Sequence, residues 1–160
     1  MKKWRIVLGA DDAALSYKET LKADLQAHPR VESVEDVSVD QADRAAHYPT
    51  MAIGAAERVA SGAADRGLLL CGTGLGVAIS ANKVPGIRAY TAHDGYSVER
   101  GVKSNNAQML CMGQRVVGIE LARKLVSEWL EHEFDPESAS AEKVAEITDY
   151  EAQSSSHHSA

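Results

Sequence analysis

The stretch Gly67 to Lys83, G-L-L-L-C-G-T-G-L-G-V-A-I-S-A-N-K, constrains the fold more than any other part of the chain. Leu68 to Leu70 form a short continuous apolar run, the pattern of a strand buried on both faces of a parallel sheet. Gly72, Gly74 and Gly76 then break the strand at alternate positions, and Val77 to Lys83 opens a helix. A strand, a glycine turn and a helix start together aim backbone N–H groups and the positive end of the helix dipole at one point. Such a point favours negative charge: a phosphate, a carboxylate or an enediolate oxygen. Cys71 stands at the carboxyl end of the strand, where open α/β sheets bind ligands.

The flanking sequence repeats the alternation. Trp4 to Gly9 reads as a first strand, and Ala14 to Ala27 as an amphipathic helix stopped by His28-Pro29. A second strand lies within Val31 to Val39, followed by a polar loop to His47 and a helix from Tyr48-Pro49 to near Gly62. Beyond Lys83 come a strand at Ile87 to Thr91, a helix at Tyr96 to Ser104, and a strand at Gln108 to Met112. Ile119 to Leu130 is a helix with Leu121, Leu125, Val126 and Trp129 on one side, and Ser138 to Tyr150 forms a last helix. Five strands, each followed by a helix, predict a single Rossmann-like α/β domain over residues 1–150. Its doubly wound parallel sheet has helices on both faces, and the C-terminal helix is an addition. The tail from Glu151 to Ala160, with four serines and two histidines, is expected to be disordered.

Composition narrows the function. A chain of 160 residues with 44% apolar and 25% charged residues is ordinary for one globular domain. Its net charge of −6 argues against nucleic acid as partner, and no stretch approaches a membrane span of roughly 20 apolar residues. The run Ile6 to Ala10 is too short for a signal peptide, so the expected location is cytoplasmic. Cys71 and Cys111 show no C-x-x-C pairing, and no His/Cys/Asp/Glu set has ligand spacing, so neither a metal nor another cofactor is expected.

Parallel-sheet logic gathers the loops that follow the strands at one rim. Those loops carry Asp11 and Asp12, Cys71 to Gly76, His93 and Asp94, and Arg115. Carboxylates, a thiol, an imidazole, an anion nest and an arginine on one edge suit a small phosphorylated or otherwise anionic substrate. Blander roles stay open: Asp12 and Asp94 as helix N-caps, Cys111 as a buried small hydrophobe, and His28, His47 and His132 as surface residues. The glycines read G-x-G-x-G after the third strand, which is not the dinucleotide fingerprint, and no G-x-x-x-x-G-K-[ST] loop exists.

Cys71 to Gly76 together with Ser80-Ala81-Asn82-Lys83-Val84-Pro85-Gly86-Ile87-Arg88-Ala89 resembles the core of the ribose-5-phosphate isomerase B family, which also contains galactose-6-phosphate isomerase subunits. Gly9-Ala10-Asp11, Tyr48-Pro49, Asn105-Asn106-Ala107-Gln108 and Gly113 to Gly118 extend the likeness over nearly the whole chain. The resemblance implies metal-independent aldose–ketose isomerisation by a homodimer, or a larger assembly such as a tetramer, with sites shared between subunits. By position it makes Cys71 the group that moves a proton between C1 and C2, a role typically contributing about 10²–10⁴-fold. It has Thr73 orient the thiol or substrate, Gly72, Gly74 and Gly76 hold the enediolate oxygen, and Asp11 hold sugar hydroxyls. Asn105 would reach the partner's site and Arg115 would bind phosphate. Asp12, His93 and Lys143 complete the candidate substrate-binding set.

Three departures bear on the substrate. The pentose enzymes carry histidine in R-E-H-N, credited with opening the sugar ring, where this chain has Val102-Lys103-Ser104-Asn105. They have Asp-His in the first loop, against Asp11-Asp12 here, and an arginine-rich segment where Ala139 to Lys143 leaves only Lys143 basic. Serine cannot protonate a ring oxygen near neutral pH as an imidazole can. A four-carbon 4-phosphate has no ring to open, because its O4 is esterified. The expected reaction is therefore erythrulose 4-phosphate to erythrose 4-phosphate. Ribose 5-phosphate isomerisation with His93 opening the ring is the alternative, and a non-catalytic sugar-phosphate-binding subunit is one of another class.

Overall fold

The computed structural model describes residues 1–158. Strand β1 (Trp4–Ala10) leads through a 3-10 turn (Asp12–Ala14) into α1 (Leu15–Ala27), and β2 (Val31–Asp36) into α2 (Tyr48–Ala60). Then follow β3 (Arg66–Cys71), α3 (Leu75–Ala81), β4 (Ala89–Thr91), α4 (Gly95–Lys103), β5 (Met109–Gly113), α5 (Ile119–Glu131) and α6 (Ser140–His158). The strands form one sheet in the order β2-β1-β3-β5-β4, with every neighbouring pair parallel. This is the expected Rossmann-like α/β architecture. No helix of the described residues is long and apolar enough to cross a membrane.

Alternation along the strands sends side chains to two cores. Ile6, Leu8, Leu68, Leu70, Leu110 and Met112 pack on one face against Leu21 and Leu25 of α1, Val98 of α4, and Leu125 and Trp129 of α5. Val7, Leu69, Cys71, Met109 and Cys111 face the other way, against Met51 and Ala55 of α2 and Val77 and Ala81 of α3. All residues of β3 and β5 are buried, which is why their sequences read as continuous apolar runs.

Three details differ from the sequence reading. Strand β3 begins two residues before the apolar run, because the Arg66 guanidinium is buried by stacking 3.7 Å from the Trp4 ring centroid and donating to Trp129 O. Burial pushes its pKa down to about 10. Leu121 is 45% exposed, since the inward face of α5 is Ala122, Leu125, Val126, Trp129 and Leu130. Most of the tail expected to be disordered is helical: α6 continues to His158, while Ser159 and Ala160 lie outside the described residues. Its polar end is tied by its own side chains, Ser155 Oγ donating to Glu151 O and Ser156 Oγ to Gln153 O.

A buried ion cluster ties the exits of β1 and β2 to α1. Lys18, with no exposed surface, places Nζ 3.0 Å from both Asp36 Oδ2 and Asp40 Oδ2. Burial alone would raise the Asp36 carboxyl, but hydrogen bonds from Ser38, Lys18 and Lys22 outweigh it and hold the pKa at about 2. Ser38 Oγ in turn accepts from Ala10 N–H, beside Asp11. A carboxyl depressed in the folded state stabilises it above the unfolded pKa, and that contribution vanishes as pH falls through the folded value. Urea titrations are therefore expected to show Asp36→Asn losing about 2 kcal/mol less stability than the parent between about pH 4 and pH 2.

Candidate active site

Cys71 ends β3 only 5% exposed, and the glycine loop folds back over it. Gly74 N–H donates to Cys71 Sγ at 3.1 Å. Such a contact strengthens when sulfur carries negative charge. Gly74 is the N-cap of α3 at φ +77°, in the left-handed region that favours glycine. A Cβ there would lie 2.8 Å from the Met112 carbonyl carbon. Gly113 is the reciprocal seat, for its Cβ would lie 2.5 Å from the Thr73 carbonyl carbon. The two loops thus touch backbone to backbone.

Other predicted residues gather around this contact. Thr73 is exposed, and its Oγ1 accepts from Leu75 N–H at 3.3 Å. Arg115 N–H donates to Gly72 O at 3.0 Å, and the guanidinium lies over Gly72, where a Cβ would come 3.2 Å from Nη1. The Tyr48 ring lies against Gly76, where a Cβ would be 2.6 Å from Cε2. Asp11 N–H donates to Leu70 O at 3.2 Å, and its carboxylate caps the following turn by accepting from Ala13 N–H at 3.0 Å. Burial raises the Asp11 pKa, against the lowering effects of Ala13 and Arg115. Asp12 is exposed within that turn, so the cap is Asp11 and not its neighbour. Asp94 is a cap, accepting from Ser97 N–H at the start of α4.

His93 has a defined hydrogen-bond state. Its Nε2 accepts from Gly113 N–H at 2.9 Å, which requires an unprotonated Nε2 and leaves the ring proton on Nδ1. Burial lowers its pKa, and the opposing pull of Asp94 is the smaller effect.

Asn105 lies elsewhere, and Lys143 belongs to the C-terminal helix. Asn105 precedes β5 at the amino rim, exposed, its carbonyl accepting from Arg88 Nε at 3.1 Å. Five residues of β5, at roughly 3.3 Å each, separate it from the Cys71 rim. Lys143 is exposed on α6, whose Glu151 Oε1 accepts from Gly86 N–H at that same amino end. Ser104 is the C-cap of α4. Cys111 is wholly buried, its thiol pushed up by burial and by Cys71.

The family model for ribose/galactose isomerase matches residues 6–147. The chain belongs to that family. A D-erythrulose-4-phosphate isomerase 2 of Mycolicibacterium smegmatis is 65% identical over 147 residues, 92% of this chain and 97% of its own length. A D-erythrulose-4-phosphate isomerase of Pectobacterium atrosepticum is 45% identical over 148 residues, 92% of this chain and 95% of its own. Among solved structures, the Leishmania infantum type B ribose 5-phosphate isomerase superposes with a TM-score of 0.88 at 32% identity, over 95% of this chain and 99% of that one. This member of the ribose/galactose isomerases is a sugar-phosphate isomerase of the aldose–ketose type.

In this isomerase, Thr91 is the residue at the rim that the sequence reading passed over. It closes β4, and its Oγ1 donates to Gly74 O at 2.7 Å. The single usable signal was a hydroxyl at the end of a strand on the ligand-binding edge. The backbone contact between the loops gives a direct test. Gly113→Ala is expected to cost about 1–3 kcal/mol in urea melts and to slow isomerisation, while Gly118→Ala, with open space around it but at the N-cap of α5, costs about 1 kcal/mol or less and leaves the isomerisation rate unchanged.

Proposed function

We propose that the enzyme interconverts D-erythrulose 4-phosphate and D-erythrose 4-phosphate, with Cys71 as the acid–base group. The observation that carries this reading is the 65% identity, over almost the whole of both chains, to a relative named as a D-erythrulose-4-phosphate isomerase. The state of His93 supports it. A ring-opening acid needs a proton to give and a free approach to the sugar, but Nε2 of His93 is occupied as an acceptor and burial disfavours its charged form. Ser104 offers no substitute.

In the proposed reaction the Cys71 thiolate takes a proton from C1 of the open-chain ketose. The electron pair left behind forms the C1–C2 double bond, and O2 becomes the enediolate oxygen. In this reading the enediolate charge is taken by the loop amides from Gly72 to Gly76 other than those of Gly74 and Leu75, which donate to Cys71 Sγ and Thr73 Oγ1, a task of oxyanion stabilisation. The thiol returns its proton to C2 while the O1 proton passes to O2, giving the aldose with no net change in atoms or charge. Thr73, exposed at the loop tip, orients the reacting end. Asp11 takes a hydroxyl, Asp12 borders the same turn, and Arg115 holds the phosphate.

Asn105 enters this scheme only through a second copy of the chain, because it does not lie at its own Cys71 rim, and its position supports a homodimer with shared sites. Lys143, exposed on α6, is a further candidate for the phosphate.

Ribose 5-phosphate is the second reading, favoured by the close likeness to a type B ribose 5-phosphate isomerase. Purified protein would be assayed with D- and L-erythrulose 4-phosphate beside ribose 5-phosphate. The expected result is preference for the D-tetrulose phosphate, with Cys71→Ala lowering the rate by about 10²-fold or more. Preference for ribose 5-phosphate would reject the tetrose assignment. Binding without turnover of any of the three would point to a non-catalytic sugar-phosphate-binding subunit.

A further inference from the structure

The Gly74 N–H reaches Cys71 Sγ only while Gly74 keeps its left-handed turn, and three contacts hold that turn. Met112 and Gly113 support its Cα from β5, where even a methyl group would not fit. His93 Nε2 holds Gly113 in place through its N–H. Thr91 Oγ1 donates to the Gly74 carbonyl at 2.7 Å, the shorter of the two side-chain hydrogen bonds from this edge. With the carbonyl of Gly74 tied to β4 and its N–H directed at sulfur, both peptide planes flanking its Cα are fixed. Thr91 Oγ1 makes its hydrogen bond to the Gly74 carbonyl, and the proposed reaction gives that hydroxyl no role of its own.

We propose that Thr91 is a positioning residue for Cys71: its hydroxyl holds Gly74 in the turn that aims the Gly74 N–H at the sulfur. Removing the hydroxyl frees the carbonyl to rotate. The Gly74 amide then spends less time aimed at sulfur, and the thiolate loses a donor. The other titratable groups around this loop are Cys111 from β5, Arg115 and His93 from the rim, Asp11 from the exit of β1 and Tyr48 from α2, and Thr91→Val alters none of them.

The inference rests on Cys71 being the reactive thiol, but its test needs no sugar. Iodoacetamide alkylation of the intact protein is followed against pH, with peptide mapping to separate Cys71 from the buried Cys111. Thr91→Val keeps the branched shape without the hydroxyl, and Thr91→Ser keeps the hydroxyl without the methyl. The expected result is about fivefold slower alkylation of Cys71 in Thr91→Val near neutral pH, the scale of one hydrogen bond, with the midpoint of the profile moved upward. Thr91→Ser is expected to follow the parent. In the isomerase assay kcat should fall in Thr91→Val with KM unchanged. A Thr91→Val profile that superimposes on the parent overturns the proposal, as does Thr91→Ser behaving like Thr91→Val. Should Thr91→Val fail to fold, a Thr91→Ser profile shifted from the parent still overturns it, and an unshifted one supports it. Failure of every sugar phosphate in the activity assay would reject the function proposed above and leave the alkylation result standing.

Discussion

Two stretches of backbone meet at the carboxyl rim with no side chain between them. Thr73 and Gly74, just past β3, press against Met112 and Gly113, the last two residues of β5, closely enough that a single methyl group at either glycine would collide. Everything chemical about the site depends on that closeness. It curls the loop so that an amide turns back on the thiol, and it sets Arg115 over Gly72 one turn further along. It also gives β4 a purpose despite having only three residues, since Thr91 and the His93 that follows grip the pair from outside. Backbone contacts of this kind are stiff, because neither side has rotamers through which to relax.

The fold was largely legible in the sequence because it is written in period and punctuation. Buried runs such as Leu68 to Leu70 and Leu110 to Met112 mark central strands, and the glycines after Cys71 mark the turn. Arg66 concealed the first two residues of β3 because a charge in a buried strand is tolerated only through a distant partner, here the Trp4 ring. The polar end of α6 was equally opaque. Its Ser155 and Ser156 hydroxyls bond to carbonyls four and three residues back, and residues 151–158 carry no apolar stripe to read.

The site was legible in membership and only partly in arrangement. Asp11, the glycine loop, His93 and Arg115 fall at one rim because parallel strands put all their exits on one edge. The same rule puts Asn105 at the opposite edge, so a motif continuous in meaning is divided in space. Hydrogen-bond direction was beyond reach. His93 looked like an available acid, whereas its ring nitrogen serves as an acceptor for a backbone amide. Thr91 carried no signal beyond its place at a strand end, because its importance lies wholly in what it touches.

An open parallel sheet leaves two strands with one side unpaired, and here they are β2 and β4. Such edges invite another chain to add a strand. Strand β2, V-E-S-V-E-D, answers with exposed Glu32 and with Glu35, which Arg58 Nε holds at 2.7 Å, so the edge is charged along its length. Strand β4 offers too short a ladder to template anything. Part of the acidity that argued against nucleic acid therefore sits at the sheet's border, where a charged edge disfavours pairing with another strand.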